Sequence, residues 1–424
     1  MALPLDLQLY RLATGLAEPL APLLLKRRAR RGKEDPARLG ERLGQASHLR
    51  PDGPLAWLHG ASVGESLSLL PVVERLRAAR PDLQVLMTSG TAASAELIAR
   101  RAPEGVIHQF APVDAPRAVD RFLDHWRPSL AVFVESEIWP NLLTQAKARG
   151  IKLALVSARL SERSLAGWAR RPAAARALFR GFDLVLAQTD TVAEGLRGLG
   201  ARDHGRLNLK LAGAPLAVDP AALAELKAAA GERPVLLAAS THPGEDEIVL
   251  DAFQKISGYA LLVIVPRHPV RAADIRTAAE ARGFDTALRT EQAFGAAHVY
   301  IADTLGEMGL WLSLATASLV GGSLLPGPGG HNPIEPAQLG CPIITGPHVD
   351  NWQGVYADLI GASAAAVARD AFELAAAWSE VLLQPAEARA RAERARQAAA
   401  AGETGLDTAV EALLKLLPPM GSRG

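Results

Sequence analysis

The chain has one cysteine in 424 residues, Cys341. That excludes an internal disulfide and any cysteine-rich metal site, and it fits a reducing compartment. Cys341 lies in the apolar run LGCPIIT, which reads as a core strand rather than a nucleophile's setting. Charge of one sign is also lacking. The net charge is +1, so no global field points to nucleic acid. No low-complexity tract and no pooled proline or glycine linker stands out, and no internal repeat is obvious. An uninterrupted apolar run is missing too. The leucine-rich stretch from Leu5 to Leu25 is broken by Asp6, Arg11, Glu18, Pro19 and Pro22, whereas a spanning helix needs ~20 nearly uncharged residues. It also lacks the basic start and small-residue cleavage site of a signal peptide. What is present is an ordinary globular composition, 49% hydrophobic and 21% charged, long enough for two domains.

The stretch that follows, KRRARRGKEDPARLGER from Lys26 to Arg42, holds eight basic and three acidic residues. An amphipathic apolar segment followed by a basic cluster suits a helix lying on an anionic membrane surface, where each basic residue gains about 1 kcal/mol. It equally suits a first helix packed on the protein's own core with a solvated basic face.

Apolar runs then alternate with helical stretches. Strands are expected at 54–59, 83–90, 105–112, 130–136, 152–159 and 184–189. A second series follows at 234–241, 260–267, 298–303, 317–323 and 341–346. These runs lack polar alternation, so both faces should be covered, as in parallel sheets with helical crossovers. Residues 370–415 are almost all helix formers. The two series join near 205–220. The expected fold class is α/β: two doubly wound, Rossmann-like domains with parallel sheets facing a central cleft, the GT-B architecture. The expected domains are an N-terminal segment at 1–34, a first domain at 35–210 and a second at 211–424. Ligands of such sheets sit beyond the carboxyl ends of the strands, which is where the informative residues fall.

After the first strand, HGASVGES opens a helix with Glu65 in its first turn. Glu65 is either a partner of the helix dipole or a carboxylate placed to accept a proton from a hydroxyl nucleophile. His59 ends that strand, as a buried hydrogen-bonded imidazole or as a ligand. Ser62 and Gly64 of the same turn are candidate donor or acceptor contacts. FVESEIWPNLL places Glu135 and Glu137 after the fourth strand. Glu137 is expected to cap the helix, and Glu135, at the strand tip, to face the cleft and stabilise an oxocarbenium-like charge. With no His or Asp at ligand spacing, no metal site is expected. Arg159 and Arg163 in SARLSERS suit a phosphate or carboxylate, or an exposed turn. Lys210, flanked by leucines, either snorkels or meets an anionic donor.

In the second series, Arg267 and His268 close a strand in IVPRHPVR. Asp303, Gly306 and Glu307 follow another strand. GGSLLPGPGGHNPIEPAQLG is glycine-rich, and its backbone N–H groups are expected to approach a phosphate. Glu335, in the turn after Asn332, is placed to hold a ribose diol. There is no Walker lysine motif, nucleophile elbow or complete dinucleotide fingerprint.

HGASVGE, FVESEIWPN, SARLSERS, NLK, PRHP, GEM and HNPIEPA stand in the order found in 3-deoxy-D-manno-octulosonic acid (Kdo) transferases, and the sequence resembles that family over nearly its whole length. The resemblance implies transfer of Kdo from CMP-Kdo to lipid IVA, the lipid A precursor, at the cytoplasmic face of the inner membrane, in lipopolysaccharide inner-core assembly. It implies Glu65 as proton acceptor, and Glu135 and Lys210 as groups that stabilise the transition state. It implies Arg267, His268, Gly306, Glu307, Met308, Asn332, Pro333, Ile334 and Glu335 as the CMP-binding stretches. The N-terminus matches the membrane-associating segment, so the inner-membrane lipid surface is an expected partner. A single displacement with inversion is expected, with neither metal nor cofactor. Leu207 stands where the family usually has glycine. The rival readings are another GT-B nucleotide-sugar enzyme, such as a lipid A disaccharide synthase-like transferase or an epimerase, and a non-catalytic nucleotide-sugar-binding protein. A preference for UDP donors would favour the former, and tolerance of Glu65→Ala the latter.

Overall fold

The computed structural model describes residues 3–213, 215–256, 259–291 and 293–420. Residues 1–2, 214 and 421–424 fall in the expected N-terminal segment, boundary stretch and second domain, and lie outside the described residues. The chain divides into two compact units. One comprises residues 1–212 with 402–424, and the other residues 213–401.

Six parallel strands build the first unit: β1 (Leu55–His59), β2 (Gln84–Ser89), β3 (Val106–Phe110), β4 (Leu130–Val134), β5 (Lys152–Ala158) and β6 (Leu184–Ala187). Their order is β3-β2-β1-β4-β5-β6, the doubly wound arrangement in which the chain reverses direction between β1 and β4. The missing polar alternation has the expected cause. Leu55 and Trp57 of β1 face one core with Ala131 and Phe133 of β4. Ala56 and Leu58 face the opposite core with Leu130 and Val132. Serine and threonine punctuate the strand ends. Ser62, Thr91, Ser161 and Thr189 each cap the next helix by accepting a backbone N–H.

The second unit holds β7 (Val235–Thr241), β8 (Leu261–Pro266), β9 (Thr286–Leu288), β10 (Val299–Ile301), β11 (Ala317–Val320), β12 (Ile343–Thr345) and β13 (Ala365–Val367). Their order is β13-β12-β11-β7-β8-β10-β9, all parallel, with the reversal between β7 and β11. Cys341 is buried here, and burial pushes its thiol up to about 12. The two edge strands, β9 and β13, are three-residue pieces outside the expected runs.

The expectation that the second domain runs unbroken from 211 to the end is corrected. The last helix, Pro385–Leu414, begins in the second unit and ends in the first. Beyond residue 401 its apolar residues change partners. Leu406, Ala409, Val410 and Leu413, with Leu417 after the helix, join the core of Val72, Val73 and Leu76. Gly402 makes this possible: a Cβ there would lie 2.4 Å from the Leu211 Cβ and 2.7 Å from its carbonyl oxygen. The returning helix thus braces the short 3-10 turn Leu209–Leu211, which carries Lys210.

Candidate active site

In the first unit, the residues of interest gather at the β1/β4 reversal. Past β1, Ser62 Oγ accepts the Glu65 N–H at 3.3 Å and Glu65 Oε2 accepts the Ala61 N–H at 2.7 Å. This is a reciprocal cap of the helix Val63–Ala79. Glu65 thus stands in the first turn as the partner of the helix N-terminus that one of its two readings expected. Burial, then the negative charge of Glu137, hold the Glu65 carboxyl above its ordinary value. A half-buried carboxylate biased toward protonation is a competent proton acceptor near neutral pH. Ser62 and Gly64 are exposed beside it.

Past β4, Glu135 has φ +55°, a left-handed conformation that costs a non-glycine residue energy. Backbone bonds to Val156 and Arg159 hold it there. Its Oε1 lies 3.6 Å from Lys210 Nζ. Ser157 Oγ accepts the Leu209 N–H and Asn208 Oδ1 accepts the Lys210 N–H, fixing the turn that presents the ammonium. Leu207 is buried among the same core side chains as Leu209, so its apolar bulk fills space against the first sheet. Arg159 and Arg163 are exposed.

Glu137 does not cap the following helix, contrary to expectation. Its carboxylate lies 3.1 Å from His59 Nε2 and accepts the Trp139 indole N–H. Burial raises its pKa, but these partners outweigh burial and bring it below the ordinary carboxylate value. Asp114 caps the helix Pro140–Ala148 instead, accepting the N–H groups of Asn141 and Leu142 at 3.1 and 2.9 Å. His59 is the buried, hydrogen-bonded imidazole, with Thr88 Oγ1 2.8 Å from its Nδ1. A largely apolar cavity of about 530 Å³ adjoins this cluster, with Leu24, Leu25, His59, Ala61, Asp114 and Trp139 among its walls.

The helices Leu5–Ala17 and Ala21–Ala29 form one side of that cavity. Of their leucines only Leu7 and Leu25 are buried, while Leu5, Leu9, Leu12, Leu16, Leu23 and Leu24 are between 55% and 74% exposed. Among the described residues no helix is long and apolar enough to cross a membrane.

In the second unit the β7/β11 reversal is organised by a residue the sequence reading missed. Glu245, completely buried, accepts four backbone N–H groups: His242 at 2.9 Å, Gly322 at 2.7 Å, Ser323 at 2.9 Å and Leu324 at 2.8 Å. Three of these belong to the glycine-rich loop. Those three N–H groups are therefore taken by an internal carboxylate and are not open to a phosphate. Exposed polar side chains stand nearby. Arg267 and His268 are exposed at the end of β8, and the His268 ring centroid lies 6.3 Å from that of His242. His242 Nε2 lies 2.9 Å from His331 Nε2.

Next to His331, Asn332 Oδ1 accepts the Ile334 N–H at 2.9 Å, and its Nδ2 donates to Glu335 Oε1 at 3.2 Å. Pro333 and Ile334 are buried, so the half-buried polar groups of this motif are His331, Asn332 and Glu335. Gly306 has φ +87° and turns the chain after β10. Glu307 forks onto Arg289 at 2.8 and 3.2 Å and accepts the Thr304 hydroxyl. Met308 packs against the core of Leu310 and Trp311. Among the described residues no three or more His, Cys, Asp or Glu are placed to hold a metal ion.

The comparisons with known proteins agree with this layout. Residues 37–212 match the family model described as 3-Deoxy-D-manno-octulosonic-acid transferase (kdotransferase). A 3-deoxy-D-manno-octulosonic acid transferase of Bordetella pertussis is 36% identical over 93% of this chain and 96% of its own. A probable mitochondrial 3-deoxy-D-manno-octulosonic acid transferase of Arabidopsis thaliana is 34% identical over 81% of this chain and 80% of its own. In fold, the chain is similar to the UDP-GlcNAc 2-epimerase of Neisseria meningitidis, with a TM-score of 0.54 at 13% identity, over 86% of this chain and 100% of that one. The chain therefore belongs to the Kdo transferase family, glycosyltransferases built from two parallel-sheet α/β domains of the GT-B type.

Proposed function

We propose that the chain transfers Kdo from CMP-Kdo to lipid IVA by a single displacement that inverts the anomeric centre. The observation that carries this is the cluster at the β1/β4 reversal: a half-buried Glu65 biased toward protonation, with Glu135 and Lys210 paired at 3.6 Å. Glu65 takes the proton of the acceptor hydroxyl as that oxygen attacks the anomeric carbon. The bond to the phosphate breaks with its electron pair leaving on CMP. The leaving group is already a stable anion, so neither a strong acid nor a covalent enzyme intermediate is needed. Lys210 offsets the donor's negative charge while Glu135 supports the cationic ring. The nucleotide is assigned to Arg267, His268, the Gly306–Met308 turn and the Asn332–Glu335 motif, and the chemistry calls for neither metal nor cofactor. Purified protein, lipid IVA in detergent and CMP-Kdo generated in situ should yield lipid heavier by one or more Kdo units. No mass gain from folded protein would overturn the assignment.

The exposed leucines and the basic stretch that follows them support association with the cytoplasmic face of the inner membrane, where a lipid acceptor resides. The cavity behind those helices opens a route from such a surface toward Ala61, whose N–H Glu65 holds. Replacing Leu9, Leu12 and Leu16 together by serine should cut binding to anionic vesicles at least tenfold in a sedimentation assay. Thermal stability should hardly change, because all three are exposed. Undiminished vesicle binding would move the contact elsewhere.

A further inference from the structure

We propose that His242 and His331 share a single proton and act as the element that reads the anionic charge of the donor nucleotide, taking up that proton from solvent when the nucleotide binds. The proposal rests on the reading of this site as the donor site, and adds two residues and a proton to it.

The geometry restricts what the pair can do. Two imidazole nitrogens 2.9 Å apart, on rings whose planes lie within 16° of parallel and whose centroids are 5.1 Å apart, meet edge to edge and cannot both carry hydrogen. One Nε2–H must point at the other's lone pair. The pair therefore has two accessible states. When it is neutral, one outer Nδ1 carries hydrogen and the other presents a lone pair. When it has gained one proton, both outer Nδ1 atoms carry hydrogen and the pair bears one positive charge. Addition of a single proton thus turns a donor–acceptor face into a double donor. An oxyanion of a phosphodiester or carboxylate prefers the second state.

The surroundings keep the pair neutral until an anion arrives. His331 is pushed down to about 4 by burial, then by the charges of His242 and Arg267, with Glu245 opposing. Burial likewise lowers His242. Glu245 opposes this shift, while His268, Arg267 and Arg271 reinforce it. Those groups come from the end of β8 and the turn after it and from the start of the helix Glu245–Phe253, while Tyr356 approaches from the helix Gln353–Gly361. Arg271 is itself paired with Asp246, and the carboxylate of Glu245 is committed to four N–H groups. A bound anion supplies the missing negative charge and draws in the proton.

Glu245 also fixes the spacing. One of its oxygens, Oε2, holds both the His242 N–H and the Gly322 N–H. A Cβ at Gly322 would come 3.0 Å from His331 Cδ2, so glycine there lets the ring close on its partner. Tyr356 donates to the His331 carbonyl from the other side. The two rings are thereby held from the backbone.

The test is calorimetric titration with the methyl ester of cytidine 5′-monophosphate, a diester whose own charge does not change near neutral pH. Titrations in buffers of different ionisation enthalpy count the protons taken up. The wild-type chain should take up close to one proton per diester bound between pH 6 and 7. Its Kd should weaken by up to about tenfold per pH unit as pH rises, the limit for one linked proton. The double variants H242N/H331N and H242Q/H331Q keep hydrogen-bond donors but retain no imidazole of the pair to hold the proton. Each should abolish the uptake and flatten the pH dependence, a readout that a merely structural contribution would not move. Wild-type binding without proton uptake, or unchanged uptake in both variants, would overturn the pair's role while leaving the donor site standing. Failure of the folded wild-type chain to bind the diester at all would overturn the donor-site reading and the pair with it.

Discussion

Glu65→Gln should eliminate most Kdo transfer while leaving nucleotide binding unchanged. A positioned general base contributes about 10²–10⁴-fold, and an amide cannot accept the acceptor's proton. The substitution is conservative for the fold. The glutamine oxygen can still accept the Ala61 N–H that Glu65 Oε2 now takes at 2.7 Å, so the helix cap survives. The pH profile gives a second handle. In the proposed mechanism the active form of Glu65 is the carboxylate, and burial followed by the charge of Glu137 raises its pKa. Transfer should therefore rise with pH through that elevated value and fall below it as the base is protonated. Removing the neighbouring charge with Glu137→Gln lowers the Glu65 pKa and should shift the acidic limb to lower pH. Single-turnover rates against pH, with nucleotide affinity measured in parallel, decide the matter. A glutamine variant within a few-fold of wild type would show that another group takes the proton.

Much of this arrangement was legible in the sequence because the parallel-sheet pattern is strong. Each of the eleven apolar runs is a strand, since residues buried on both faces leave an unmistakable stretch such as Leu130–Val134. The helix after each strand and the place of Glu65 and Glu135 at strand ends followed from it, while the family motifs were legible through the resemblance alone. What stayed hidden depends on long-range geometry. Glu245 is the clearest case. GASVGE after β1 and HPGE after β7 both place Gly-Glu where a helix opens, so a correspondence between the two halves was there to be read. The two glutamates nevertheless act differently. Glu245 is fully buried and gathers N–H groups from a loop nearly eighty residues away, whereas Glu65 is only half-buried. Spacing cannot reveal that difference, and neither can it show that His242 meets His331, 89 residues on. The C-terminal return was invisible for a related reason. An alanine-rich helix reads the same whichever domain its far end packs against, and only Gly402, where Leu211 comes close, marks the crossing.

Glu135→Gly should give a protein that is slightly more stable and almost inactive. Glu135 sits at φ +55°, where a side chain with a Cβ is strained by about 1–3 kcal/mol. Glycine removes that strain but brings a more flexible unfolded chain, a cost of about 0.5–1 kcal/mol. The lost pairing with Lys210, at 3.6 Å and with both side chains partly solvated, is worth at most about 1 kcal/mol. At the middle of these ranges the balance leaves roughly 0–1 kcal/mol in favour of glycine, a rise in Tm of up to about 4 °C for a unit of this size. Transfer should fall about 10²–10³-fold, the usual consequence of removing one preorganised electrostatic group from a transition state. Glu135→Ala is the control that separates the two effects. It removes the same carboxylate but keeps a Cβ at the strained position, so it should be as inactive as the glycine variant without being stabilised. Thermal denaturation of the two variants side by side, with transfer rates for both, tests backbone and charge independently. An alanine variant more stable than the glycine variant would rule out backbone strain at Glu135. Near-normal transfer by either would remove the carboxylate from the transition state and leave Lys210 to act without it.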